Sequence, residues 1–127
     1  YFFAADRQNP RVADRYDPVS PSAIALLTSI REACDRHGKP INVCGELAGR
    51  PLEACMLAAL GYRTLSMAAG SIGPVKRALA ACDLGRLKDW LEEACRSGEA
   101  DDLRAALIAA GESAGVSTEY VDTFKSI

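Results

Sequence analysis

Three groups of chemically capable residues each follow a short apolar segment of the chain. They are Asp6-Arg7, Cys44-Gly45-Glu46 and Ser66-Met67. In proteins built from parallel strands, catalytic groups gather where the strands end at their carboxyl side. If the apolar segments are parallel strands, these three groups meet at one edge of the sheet, and that edge is the candidate site.

Cys44 is the candidate for the chemistry itself. A thiol stays mostly protonated near neutral pH and can donate its proton to a reactive carbanion. Gly45 follows directly and lets a ligand approach the backbone closely. Spacing alone leaves a second interpretation open, because a cysteine after an apolar strand is commonly a small buried residue.

Arg7 and Glu46 have comparable alternatives. A guanidinium at the end of a strand can hold a phosphate or carboxylate through two hydrogen bonds. The competing interpretation of Arg7 is an ion pair with Asp6 or Asp14. Glu46 can tune the site, bind an arginine or cap the following helix.

The elements that must position these residues alternate between strand and helix. Strands are predicted over residues 1–5, 41–44 and 64–67, with helices between them, a rhythm typical of parallel βα units. The sequence therefore predicts an α/β fold.

Proline and glycine mark the helix boundaries. Ser20-Pro21 begins the first helix, which ends at Gly38. A second helix runs from Pro51 to Leu60 and is apolar nearly all round, so it is expected to be buried. A third is predicted to begin at Pro74 and to run to about Cys82.

After Asp83 the pattern changes to two amphipathic helices that are charged on one side. We interpret residues 1–82 as one unit and residues 83–127 as a helical appendage packed on its outside.

Composition excludes several classes of protein. The chain has 127 residues and a net charge of -2, unlike the basic footprint of a nucleic-acid binder. No apolar run approaches the ~20 residues that span a bilayer, and no signal peptide is recognisable.

The five cysteines form no CxxC pair, and His37 is the only histidine, so neither a metal site nor a disulfide framework is predicted. Reduced thiols favour a cytoplasmic location.

The motifs resemble one enzyme family closely. The matching stretches are Gly38-Lys39-Pro40, Val43-Cys44-Gly45-Glu46-Leu47-Ala48-Gly49 and Leu65-Ser66-Met67, followed by Pro74-Val75-Lys76. They resemble enzyme I of the sugar phosphotransferase system and, more closely, its nitrogen-regulatory paralogue, the phosphoenolpyruvate-protein phosphotransferase. The resemblance covers residues 1 to about 82 well and residues 84–115 more loosely. Since the chain begins without Met, in what reads as mid-strand, it is expected to be a fragment.

The resemblance implies a fold and an activity. The chain would be the last βα units of a (β/α)₈ barrel that binds phosphoenolpyruvate and Mg²⁺, plus the C-terminal helices. The full-length enzyme passes the phosphoryl group to a histidine on a separate domain, and a phosphocarrier protein of the HPr type is its expected partner. The family also implies a homodimer.

The resemblance assigns roles residue by residue. Cys44 matches the cysteine that protonates the enolpyruvate left behind, and Arg7 matches an arginine that contacts the substrate phosphate. The resemblance implies that Gly45 and Glu46 do not react themselves but help to position the residues that do. Arg50 departs from the pattern, because the family usually has an acidic residue there.

Much of the family's site has no match in this chain. The Mg²⁺-binding glutamate, an Asn-Asp pair, two further arginines and the phosphorylated histidine are absent. Mg²⁺ is therefore expected in the full-length enzyme and not on this chain, which is expected to be inactive alone.

Two other interpretations remain open. One is a non-catalytic module for dimerisation or interaction, since open parallel strands expose edges and apolar faces. The other is a fragment of an enzyme like pyruvate phosphate dikinase, whose motif continues with His-Gly-Gly where this chain has Leu47-Ala48-Gly49. The sequence does not distinguish the sugar branch from the nitrogen branch.

Overall fold

A computed structural model describes Arg11, residues 18–97 and residues 103–116. Within this part the chain forms helix α1 (Pro21–Arg36), strand β1 (Val43–Cys44), helices α2 (Glu46–Gly49) and α3 (Pro51–Ala59), strand β2 (Leu65–Ser66), and helices α4 (Ala69–Ala81), α5 (Leu84–Ser97) and α6 (Leu103–Ser113). The arrangement is α/β and mostly helical. No helix of the described residues is both long and apolar enough to cross a bilayer.

Helix α1 begins and ends where the sequence predicts. The Oγ of Ser20 accepts a hydrogen bond from the backbone N–H of Ala23 at 3.3 Å, and Pro21 occupies the first turn. At the other end Gly38 takes a φ of 60°, the left-handed conformation that glycine adopts without strain.

Strands β1 and β2 pair in parallel, as predicted. The register places Val43 opposite Leu65 and Cys44 opposite Ser66. The backbone N–H of Val43 donates to the carbonyl of Thr64 at 3.1 Å, and that of Gly45 donates to the carbonyl of Ser66 at 3.1 Å. Each strand is two residues long, shorter than predicted. The predicted strand over residues 1–5 lies outside the described residues.

Helix α3 is the centre of the core. Its residues from Leu52 to Leu57 are all buried, which confirms the prediction from its apolar sequence. The segment before it, residues 45–50, contains the single helical turn α2.

Helix α4 corrects one prediction. It begins at Ala69, and Pro74 lies inside it rather than at its start. A proline in a helix removes the hydrogen bond to the carbonyl four residues earlier, here Gly70. Gly70 is exposed, so water can satisfy that carbonyl and the helix tolerates the proline.

Helices α5 and α6 bury their leucines in the same cluster as α3. Leu87, Leu91, Leu103 and Leu107 belong to one hydrophobic core with Leu52. The proposed division of the chain after residue 82 stays a prediction.

Candidate active site at the ends of the parallel strands

The pleat of the two strands separates an apolar face from a polar one. Val43 and Leu65 are half-buried and pack against the core cluster. Cys44 and Ser66, the next residue on each strand, are exposed, because successive side chains point to opposite faces. The amide Nδ2 of Asn42 donates to Ser66 Oγ at 2.9 Å, which places Asn42 on this polar face too.

Gly45 turns the chain away from β1 immediately after Cys44. Its φ of 101° and ψ of -163° lie in a region that is essentially restricted to glycine. A Cβ built on Gly45 would meet no atom within 4 Å. Backbone conformation, and not crowding, therefore requires glycine here, and the space beside the Cys44 loop is open.

Glu46 begins α2 and lines a cleft at the same edge of the strands. The cleft has a volume of about 460 Å³ and brings together the loops that follow β1 and β2. Its lining residues are Gly45, Glu46, Gly49, Arg50, Pro51, Ala68 and Ser71. A substrate that reached Cys44 would have this cleft beside it.

Cys44 is the exposed thiol of the chain. All five cysteines are free; Cys55 is buried, and Cys34, Cys82 and Cys95 are partly buried. Burial raises the pKa of Cys55, of Cys82 and of Cys95. The raised pKa favours the protonated form of each of these three thiols.

A buried carboxylate lies behind the cleft. Glu53 is fully buried, with its Oε1 3.4 Å from Nη1 of Arg104 and 3.7 Å from Nη1 of Arg50. Burial raises the pKa of Glu53, while a backbone hydrogen bond and the two arginines act in the opposite direction. The carboxylate thus connects α6 to the end of the Cys44 loop.

Sequence reasoning missed Glu53. The signal was present, since a single glutamate interrupts the apolar run of α3 three residues after Arg50, and residues three apart face each other on a helix. Arg104 was not predictable as its partner, because it comes from a helix 51 residues further along the chain.

The structure describes only part of the predicted site. Cys44, Gly45 and Glu46 lie together at the end of β1, and their roles stay predictions. Arg7 lies outside the described residues. Among the described residues no group of three or more His, Cys, Asp or Glu side chains could hold a metal ion.

Comparison with known proteins points to one family. The family described as the PEP-binding domain of PEP-utilising enzymes matches residues 1–84. A multiphosphoryl transfer protein of Escherichia coli O6:H1 is 36% identical over 109 residues, or 86% of this chain. A phosphoenolpyruvate-protein phosphotransferase of Bacillus sp. strain S is 40% identical over 92 residues, or 70% of this chain. The chain spans 13% of the first relative and 16% of the second.

Proposed function

Because this chain belongs to the family of PEP-utilising enzymes, through their PEP-binding domain, we propose that it is part of a phosphoenolpyruvate-protein phosphotransferase. In that enzyme it supplies the proton donor Cys44. The observation that carries the proposal is the position of Cys44, exposed at the carboxyl end of a parallel strand and followed by a glycine in a conformation restricted to glycine. The names of the relatives support the choice of reaction.

The two strands are proposed to be the last two of a (β/α)₈ barrel. Helices α3 and α4 pack on each other, and the half-buried Val43 and Leu65 pack against the core that includes α3. The opposite face, with Cys44 and Ser66, is open. In a barrel of this kind the helices form the outer ring and active sites lie at the carboxyl ends of the strands, which agrees with this placement.

The proposed chemistry has two steps. The bond between phosphorus and the enol oxygen of phosphoenolpyruvate breaks, and the phosphoryl group passes to a histidine of the enzyme. Cys44 then gives its Sγ proton to the methylene carbon of enolpyruvate, and pyruvate forms. Gly45 leaves the space for the substrate's approach, and Glu46 supports the loop beside the cleft.

Mg²⁺ does not fit the described residues on their own. It prefers several oxygen ligands in an octahedral arrangement, and this part of the chain has no cluster of carboxylates that could supply them. We therefore place the proposed Mg²⁺ site on other parts of the full-length enzyme and assign it no step here. Arg7 is proposed as a ligand of the substrate phosphate, from the family resemblance.

The proposed partners follow from the same family. They are phosphoenolpyruvate, a phosphocarrier protein of the HPr type and a second copy of the enzyme, in the cytoplasm. The five free thiols are consistent with a reducing compartment. The identity of the phosphocarrier distinguishes the sugar branch of the phosphotransferase system from the nitrogen branch.

The test is the substitution Cys44→Ala in the full-length enzyme. Loss of a positioned general acid lowers rates by about 10²- to 10⁴-fold, so pyruvate formation from phosphoenolpyruvate should fall by at least about 10²-fold. Cys95→Ala, which removes a partly buried thiol from α5, is the control and should leave the rate near that of the wild type. The 127-residue chain alone, with phosphoenolpyruvate and Mg²⁺, should form no pyruvate.

Two results would contradict the proposal. An undiminished rate of pyruvate formation by the Cys44→Ala enzyme would remove Cys44 from the mechanism. Turnover of phosphoenolpyruvate by the chain alone would show that the reaction does not need the rest of the barrel.

A further inference from the structure

The polar face of the strands carries a hydroxyl directly opposite the proposed proton donor. The parallel register pairs Cys44 with Ser66, and neighbouring strands lie about 4.8 Å apart. Residues paired in register on neighbouring strands point to the same side of the sheet, and both side chains are exposed. The thiol and the hydroxyl therefore project from neighbouring strands on one face.

Asn42 fixes the hydroxyl of Ser66. Its Nδ2 donates to Ser66 Oγ at 2.9 Å, and it precedes Cys44 by two residues, on the same side of the strand. A serine hydroxyl that accepts one hydrogen bond still has its own proton to donate. Ser66 is thus held with a donor available beside Cys44.

We propose that Ser66 donates a hydrogen bond to the thiolate that Cys44 becomes when it protonates enolpyruvate, and that Asn42 orients Ser66 for this role. The proposal rests on the proposed function of Cys44. In the step, the S–H bond breaks and a C–H bond forms from the π electrons of the enolate, whose oxygen becomes the carbonyl oxygen of pyruvate, while sulfur keeps the S–H bonding electrons and takes the negative charge. Water later returns the proton to sulfur. Ser66 acts through Cys44 and is a positioning residue.

The charges around Cys44 make such a donor useful. Strands β1 and β2 carry no charged residue, and the charged residue of α2, which packs on both strands, is Glu46. A hydrogen bond donated to a charged group stabilises its charged form, and a neutral hydroxyl supplies one without adding a charge to this face.

The test is the rate at which iodoacetamide alkylates Cys44 in the 127-residue chain, followed by peptide mass spectrometry from about pH 6 to pH 10. The thiolate is the reactive form. Loss of one hydrogen bond is worth about a fivefold change in an equilibrium. Ser66→Ala should therefore lower the rate near neutral pH by about fivefold and move the whole profile to higher pH. Ser66→Thr, which restores a hydroxyl, should return both toward the wild type.

Thr64→Val is the matched control. Thr64 is exposed and lies two residues earlier on the same face of the chain, and its contact with Val43 uses its backbone carbonyl. This variant should keep the wild-type profile. Asn42→Ala keeps the Ser66 hydroxyl but removes its orientation, and it should shift the profile in the same direction by a smaller amount. It also tests the proposal if Ser66→Ala does not fold.

Three outcomes would overturn the proposal. They are an unchanged profile in both Ser66→Ala and Asn42→Ala, a drop in rate that is equal at every pH, and an equal shift in Thr64→Val. A uniform drop would mean altered access to Cys44 and not a hydrogen bond to its thiolate. These results are independent of the test of the proposed function, because a Cys44→Ala enzyme that still formed pyruvate would refute the role of Cys44 and leave the alkylation profiles as they are.

Discussion

Gly45→Ala tests whether backbone conformation at the end of β1 is what requires glycine. An alanine at a φ of 101° and ψ of -163° is in a region that is unfavourable by about 1–3 kcal/mol for a residue with a Cβ. The new methyl would meet no atom within 4 Å, so no steric term adds to this strain. The free energy of unfolding should therefore fall by about 1–3 kcal/mol.

Gly70→Ala is the matched control for this measurement. Gly70 also has no atom within 4 Å of a built Cβ, but its φ is not positive and it lies in helix α4. Alanine is favoured over glycine in helices by about 0.5–1 kcal/mol, so this variant should be slightly more stable than the wild type. The two substitutions add the same methyl group, and their effects should have opposite signs.

Urea denaturation of the chain, followed by circular dichroism, measures both effects. The denaturation midpoint should fall for Gly45→Ala and rise for Gly70→Ala with similar slopes. If Gly45→Ala leaves the midpoint unchanged, the glycine is not conformationally required. The backbone around the new alanine could instead rotate to a less strained conformation. The hydrogen bond from the residue 45 N–H to the Ser66 carbonyl would then be lost, and the backbone amide of residue 45 should exchange faster with solvent.

Two further predictions concern the core beneath the site. Burial raises the pKa of Glu53 above its ordinary value of 4.5, so its contribution to stability is complete below that value and is lost as the pH rises through the raised value. Glu53→Gln, which does not titrate, should thus gain stability relative to the wild type as the pH rises above 4.5; a difference in urea midpoints that stays constant with pH would contradict this. Leu107→Ala, at a residue 1% exposed, should lower the free energy of unfolding by about 2–5 kcal/mol. Ile108→Ala, at its partly buried neighbour, is the control and should be milder, whereas equal losses would contradict the burial of Leu107.

Local signals in the sequence predicted much of the framework. The cap at Ser20, the start of α3 at Pro51 and the left-handed Gly38 were all correct, because each depends on a residue's own conformational preference or on a hydrogen bond within one turn. The parallel pairing of the strands was also correct, since it follows from the alternation of strands and helices.

Features that depend on distant contacts were missed or wrong. The sequence predicts a helix start at Pro74, but this proline lies inside α4. The helix can continue through it because the carbonyl of Gly70 is open to water, which the conformational preference of proline does not show. The sequence shows Glu53 as one polar residue in an apolar helix. Its burial as an ion pair was not predictable, because its partner Arg104 is remote in sequence. Within the candidate site, spacing named Cys44 as a candidate and left its role open, while the contact between Asn42 and Ser66 depends on the strand register.

The salt bridge between Arg104 and Glu53 makes the order of synthesis matter. A ribosome produces the Cys44 loop and α3 well before α6, and until α6 emerges Glu53 lacks one of its two cationic partners and Leu52 lacks the contact with Gly111. The segment around the candidate site therefore completes its core only after α6 has been translated. A premature stop codon or a proteolytic cut before α6 would leave a charged group stranded in an incomplete interior, and such a truncated product should be a target for chaperones and proteases.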